Sequence, residues 1–289
     1  MNIKNIKKQL KKHGWCIVPN VLTNDEIYKA KQLFYDWKNS IENHDYLHNT
    51  INPHYIYKYH EVGHQEHAWY IRTIPKVKEI YSGIWNTDEL VVSFDGSCYV
   101  PKNCKKKGDI WTHTDQAPNN KKLSCYQGFV SLTDNKERTL VVYDKTHLVH
   151  SKYFEIKNNT SKDNWQLIDK KDIIEAEKYK RVLNVPAGSL VLWDSRTFHQ
   201  NQYGLPNSEE RIVQYVCFLP KNHEKNTENM RLKRRKYFED RRTTSHWPYP
   251  IKVNSLQPRT FGDNRKKIDY TSVRKINLDK YMKDIEQII

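Results

Sequence analysis

His113 and Asp115 are separated by one residue, Thr114, at the end of a run rich in strand formers, DIWTH (109–113). Alternate side chains of a strand share one face, so this imidazole and this carboxylate can converge on a single ion. Far along the chain, His199 follows a second such run, SLVLW (189–193), and the turn Asp194-Ser195-Arg196-Thr197. Two histidines and one carboxylate meeting at neighbouring strand edges form a facial ligand set that suits iron(II) and leaves three coordination positions open. A lone His-x-Asp is more often a surface pair, so the order of the surrounding parts carries the weight. Arg211 opens the next strand, RIVQYVCFL (211–219), where its guanidinium fork could take a carboxylate in two parallel hydrogen bonds.

Positioning these groups requires strands, and the chain supplies them from Glu89 onward. LVVSF (90–94), SCYQGFVSL (124–132), TLVVY (139–143), SLVLW and RIVQYVCFL are separated by turn clusters such as Pro118-Asn119-Asn120 and Pro186-Ala187-Gly188-Ser189. Helices are expected mostly before them. Gly14-Trp15-Cys16-Ile17-Val18-Pro19 reads as a short strand, and Thr23 then caps a helix with Asp25 and Glu26 in its first turn and one apolar face of Ile27, Ala30, Leu33, Phe34 and Trp37. The fold class is therefore mainly β with flanking helices, an antiparallel jelly roll. We expect an N-terminal helical and strand segment over 1–88, a core over 89–220 interrupted by a polar, helical insert near 160–180, and a basic extension over 221–289, all in one domain. In that extension EKNTENMRLKRRKYFEDRR reads as a helix followed by a Pro-containing extended tail.

Three separated blocks then resemble, in order, the phytanoyl-CoA dioxygenase family of iron(II)- and 2-oxoglutarate-dependent oxygenases. They are GWCIVPNVLTNDEI at the start, HTDQ (113–116) with YQGFVSLTDN (126–135), and PAGSLVLWDSRTFHQN followed by RIVQYVCF. The resemblance covers roughly residues 13–220. It implies a double-stranded β-helix of the cupin-like kind, with His113, Asp115 and His199 holding Fe(II). It further implies that Arg211 binds the distal carboxylate of 2-oxoglutarate, with Asn201 assisting. The implied reaction uses dioxygen, releases succinate and carbon dioxide, and hydroxylates an unactivated C–H bond. Trp193 is a pocket wall or core packing. Gln116, Tyr126 and Gln127 reach the co-substrate or substrate, or are satisfied strand polar groups. One departure stands out: where relatives commonly carry a Gly-Gly and a Gly-Ser-His turn, this chain has Arg138-Thr139 and Asp144-Lys145-Thr146-His147, with HLVH (147–150) still read as a strand.

His67, Trp69 and Arg72, in GHQEHAWYIRTIPKV (63–77), line a substrate entrance or pack beneath the barrel, and Asp95 points into the barrel mouth or makes a turn with Gly96. His147 and His150 are not taken as a second metal site. The five cysteines are scattered and form no C-x-x-C pair, and no stretch approaches a membrane span, so a reducing, cytoplasmic setting is expected.

The net charge of +15 lies at the ends: +5 over residues 1–12, +1 over 13–220 and +9 over 221–289. An AT-rich coding sequence accounts for this as well as a function does. A small-molecule substrate is the expected partner, and nucleic acid or another polyanion could be engaged through the basic ends. Cations interleaved with Tyr237, Phe238, Trp247 and Tyr249 suit single-stranded nucleic acid, while Glu239 and Asp240 suit an ordinary solvated helix. The alternative to an oxygenase is a non-oxidative nucleic-acid- or metabolite-binding module on the same frame. The substrate and the oligomeric state are not legible.

Overall fold

A computed structural model describes residues 2–106 and 108–289. In chain order the first elements are α1 (Ile3–His13), β1 (Trp15–Val18), α2 (Asn24–Asn39), α3 (His44–Ile51), α4 (Glu66–Thr73) and α5 (Pro75–Trp85). There follow β2 (Leu90–Val92), β3 (Ser97–Val100), β4 (His113–Thr114), β5 (Tyr126–Ser131), β6 (Leu140–Tyr143), α6 (Thr146–Ile156), β7 (Gln166–Leu167), α7 (Lys170–Glu175) and β8 (Lys180–Val182). The last are β9 (Leu190–Asp194), β10 (His199–Asn201), β11 (Arg211–Val216), β12 (Phe218–Pro220), α8 (Glu228–Glu239) and α9 (Met282–Ile288). The architecture is mainly β with flanking helices, built on the antiparallel sheets of a double-stranded β-helix. The chain divides into two compact units: residues 1–20 with 100–211, and residues 21–99 with 212–289.

In the first unit β1, β9 and β5 run side by side and antiparallel, with Trp15 opposite Trp193 and Gln127 opposite Trp193 on the other flank. The second sheet of this unit has the order β7-β4-β10-β6-β8. His199 is opposite His113 on one side and Val142 on the other, so these three side chains share its inner face. Val141 and Tyr143 alternate to the outer face, where they form a buried cluster with Phe154 of α6, Ile173 of α7 and Phe198. The two helices thus cover the sheet that carries the histidines.

In the second unit β2 pairs antiparallel with β12, and β11 lies beside β3. Thr23 closes a full capping box on α2 with Glu26, and Ala30, Leu33, Phe34 and Trp37 are buried as the helical spacing requires.

Several expectations need correction. HLVH is helical: Lys145 turns the chain at φ 65°, Thr146 Oγ1 donates to Tyr143 O, and α6 buries His147, His150 and Phe154 at helical spacing while Leu148 and Val149 face solvent. A period of two would have hidden one of those two apolar residues. Of the DIWTH run only His113 is strand, in β4 with Thr114, because Ile110 N–H bonds the Asp109 carboxylate and Trp111 N–H bonds Gln200 Oε1 in place of a ladder partner. The insert is mixed, with β7, α7 and β8 in it. The tail ends in α9, which buries Ile285 and Ile288.

The departure at Arg138 has a structural purpose. Its guanidinium is fully buried and donates to the carbonyls of Pro101, Tyr203, Lys102 and Cys104, stapling two loops of the first unit. Glu209 Oε1 accepts from the backbone N–H groups of Lys136, Glu137 and Arg138 and holds the same segment.

Candidate metal centre

His113, Asp115 and His199 are all buried, and one ligand atom from each lies within 4.8 Å of the others. His113 Nε2 is 3.6 Å and His199 Nε2 is 3.2 Å from Asp115 Oδ2. The far nitrogens explain how the rings are held. His113 Nδ1 faces Trp111 O at 3.2 Å and His199 Nδ1 faces Thr197 O at 2.9 Å. A carbonyl only accepts, so each Nδ1 carries the proton and each Nε2 presents a lone pair. Two lone pairs then converge on an anionic oxygen with no proton between them, an arrangement that a cation resolves. Burial pushes the His113 imidazole below its usual pKa, and neighbouring His199 adds to this against the opposing pull of Asp115. A neutral ring is the form a metal needs. The donor set fits iron(II), with Asp115 as the single formal negative charge.

Local sequence explains the placement. Asp115 N–H and Thr114 Oγ1 both donate to Ser195 O, tying the HTD segment to the turn that delivers His199. Gln127, on β5, donates from Nε2 to Asp115 Oδ2 at 3.1 Å, which leaves its buried Oε1 without a partner among the described residues. Trp193, cross-strand from Gln127, packs 5.3 Å from the His199 ring, and its buried Nε1–H likewise has no acceptor among the described residues. Phe129 continues this face, 5.9 Å from Trp193, and the Arg211 guanidinium lies over it at 5.3 Å. Arg211 and Asn201 are both buried, with Asn201 two residues beyond His199 on the same face of β10. His113, Asp115, His199, Gln127, Trp193, Asn201 and Arg211 are thus all in the first unit.

Gln116 and Tyr126 are placed differently. The Gln116 amide is consumed by its own loop and the turn before His199: Nε2 donates to Asn120 O and Lys122 O, and Oε1 accepts from Ser124 N–H and Ser195 Oγ. Tyr126 is opposite Asp194, so alternation turns it to the face away from Gln127 and Trp193; burial, then Asp194, push its hydroxyl up to about 12. Trp69, Arg72 and Asp95 belong to the second unit. There buried Arg72 donates to Gly63 O and Asp95 O and lies 4.9 Å over the Trp69 ring, while His67 bonds Ser97 Oγ. His147 and His150 bond Lys11 O and Gln116 O, a purely structural use.

Two aromatic neighbours escaped the sequence reading. Trp111 stacks on His113 at 4.8 Å and 18°, and Trp165 lies 5.6 Å from the same ring. Period two from His113 could have found Trp111; nothing local marks Trp165.

No family model matches the chain. It is 31% identical over 206 residues to Ava biosynthesis cluster protein O of Aspergillus versicolor, a match covering 66% of this chain and 66% of that protein. Among solved structures, GlcNAc Inducible Gene 2 from Candida albicans aligns over 98% of this chain and 75% of its own, with a TM-score of 0.69 and 14% identity. EctD from S. alaskensis with 2-oxoglutarate and 5-hydroxyectoine aligns over 96% and 89%, with a TM-score of 0.52 and 11% identity. The non-heme alpha ketoglutarate dependent carbocyclase SnoK from nogalamycin biosynthesis aligns over 75% and 84%, with a TM-score of 0.53 and 16% identity. These define the class of fold: the jelly-roll frame on which non-haem iron, 2-oxoglutarate-dependent enzymes are built.

Proposed function

We propose that this chain is an Fe(II)- and 2-oxoglutarate-dependent dioxygenase, similar to the phytanoyl-CoA dioxygenase family, that hydroxylates an unactivated C–H bond of a small molecule. The observation that carries the reading is the buried His113–Asp115–His199 cluster with both histidines locked as Nε2 donors to a cation. EctD is a fold relative crystallised with 2-oxoglutarate, SnoK is named as alpha ketoglutarate dependent, and the Aspergillus relative is named for a biosynthesis cluster, which supports a metabolite substrate. No helix among the described residues is long and apolar enough to cross a membrane, and the five cysteines are buried and form no disulfide, which suits a reducing cytoplasm.

The residues divide the labour as follows. His113 and His199 supply neutral nitrogen ligands and Asp115 the charge, with Gln127 holding the carboxylate in place. Arg211, buried at the start of β11, neutralises the distal carboxylate of 2-oxoglutarate, and Asn201 helps to bind it. Bound iron with 2-oxoglutarate supplies dioxygen-dependent oxidation, yielding succinate, carbon dioxide and hydroxylated product. The protein's own part is binding, orientation and exclusion of water, and no general base is required of it.

Succinate release measured with iron and 2-oxoglutarate tests the reading. Turnover in the wild type, and its loss together with iron binding in Asp115→Ala, is the expected result. An Asp115→Ala protein that keeps full 2-oxoglutarate turnover overturns it.

A further inference from the structure

Two groups of side chains in the first unit bear on what the centre receives. The first is set by register. Leu167 of β7 is opposite His113 and His113 is opposite His199, so the three form one cross-strand row on a single face. His199 and His113 are 4% and 6% exposed, yet Leu167 is 55% exposed. The ligand-bearing face therefore runs out to solvent on the β7 side. Trp165, two residues before Leu167, is half exposed although its ring lies 5.6 Å from His113, and Trp111 stacks on that same imidazole. A half-exposed indole and a half-exposed leucine beside a buried metal centre are apolar surface that a ligand can cover.

The second group is polar. Asp115 only accepts, so Gln127 must turn its NH2 toward that carboxylate, and Oε1 is left as a buried acceptor without a partner among the described residues. Ionised 2-oxoglutarate carries acceptors alone and cannot satisfy it. An O–H or N–H on the substrate can. A solvent molecule could also donate, and then a donor on the ligand would confer no advantage.

We propose that the substrate is a flat, largely apolar small molecule bearing a hydroxyl or N–H, received against Trp165, Leu167 and Trp111 with its donor directed to Gln127 Oε1. This rests on the oxygenase reading of the same site for what happens to the ligand, although its recognition is measurable without turnover.

The test uses the full chain loaded with Mn(II) and 2-oxoglutarate, titrated calorimetrically with 2-naphthol and indole, their O-methyl and N-methyl counterparts, and decanoate. The donor-bearing ring compounds are expected to bind at least about tenfold more tightly than the methylated ones, because methylation leaves the Gln127 acceptor unpaired. Decanoate should bind more weakly still. Trp165→Ala should weaken 2-naphthol about tenfold while still taking Mn(II), and Leu232→Ala, exposed on α8, should not. Equal binding of methylated and unmethylated probes, preference for decanoate, absence of ring binding, or indifference to Trp165→Ala each overturns the proposal. Ring binding that depends on Trp165 in a protein that releases no succinate would sink the oxygenase reading and leave this one standing. Succinate release without ring binding would do the reverse.

Discussion

At the scale of single residues, Gln127 is the side chain whose removal separates metal placement from metal ligation. Among the described residues its amide bonds the candidate ligand set through Asp115, and outer hydrogen bonds of this kind typically matter by about 10–100-fold in metal affinity. Gln127→Leu is therefore expected to weaken Mn(II) binding by that range without unfolding the chain, as a fluorescence-quench titration would read. His113→Ala and His199→Ala, which remove ligands outright, should lose binding altogether. The three side chains that cluster were legible as candidates, because the spacing of two sets His113 and Asp115 together at the end of β4. The locking of the rings was not: Trp111 and Thr197 act through backbone carbonyls, which every residue possesses.

At the scale of elements, the loop staple at Arg138 and the cap of α2 make contrasting forecasts. Arg138→Ala strands several buried carbonyls that now share one guanidinium, and each orphaned group costs about 1–3 kcal/mol. A loss above about 3 kcal/mol is expected in urea unfolding, whereas a change below 1 kcal/mol would show that water replaces the staple. Thr23→Ala removes only an exposed capping box and should cost about 1 kcal/mol. That box was readable from Thr23, Asp25 and Glu26, since its partners lie within three residues. Nothing local marks the role of Arg138, since its acceptors come from loops far away in sequence. HLVH shows the limit of short runs, for four residues fit either period until Phe154 and its burial decide.

At the scale of the whole molecule, pH and charge are the readable variables. Burial pushes His48, His64 and His67 of the second unit down to about 3 and His60 down to about 4. Their folded pKa values lie below the unfolded one near 6.5, so between these limits the unfolded chain holds more protons. Stability from these groups is full above pH 6.5 and declines as pH falls toward 4, by at most about 1.4 kcal/mol per pH unit for each histidine. Melting temperatures at pH 7 and 5 check this, and equal values would show that these rings are accessible to protons in the native state. The basic run on α8 is partly committed: Arg234 is buried against Pro248 O and Asn226, Arg235 pairs with Glu286 and Lys236 with Asp240. Any oligonucleotide binding through this helix should accordingly be weak and, with few cations left to meet phosphates, should fall only shallowly as salt rises.

Most of the longer strand runs, the candidate ligand letters, the capped helix and the concentration of charge at the two ends are written locally, in spacings of two to four residues and in plain counts. Which tautomer each histidine adopts, what the Arg138 guanidinium holds, and that Trp165 stands beside His113 are not. Those depend on backbone acceptors and on cross-strand register, and neither has a letter of its own: the staple needs loops distant in sequence to meet, and the aromatic neighbour of His113 needs β7, β4 and β10 laid edge to edge.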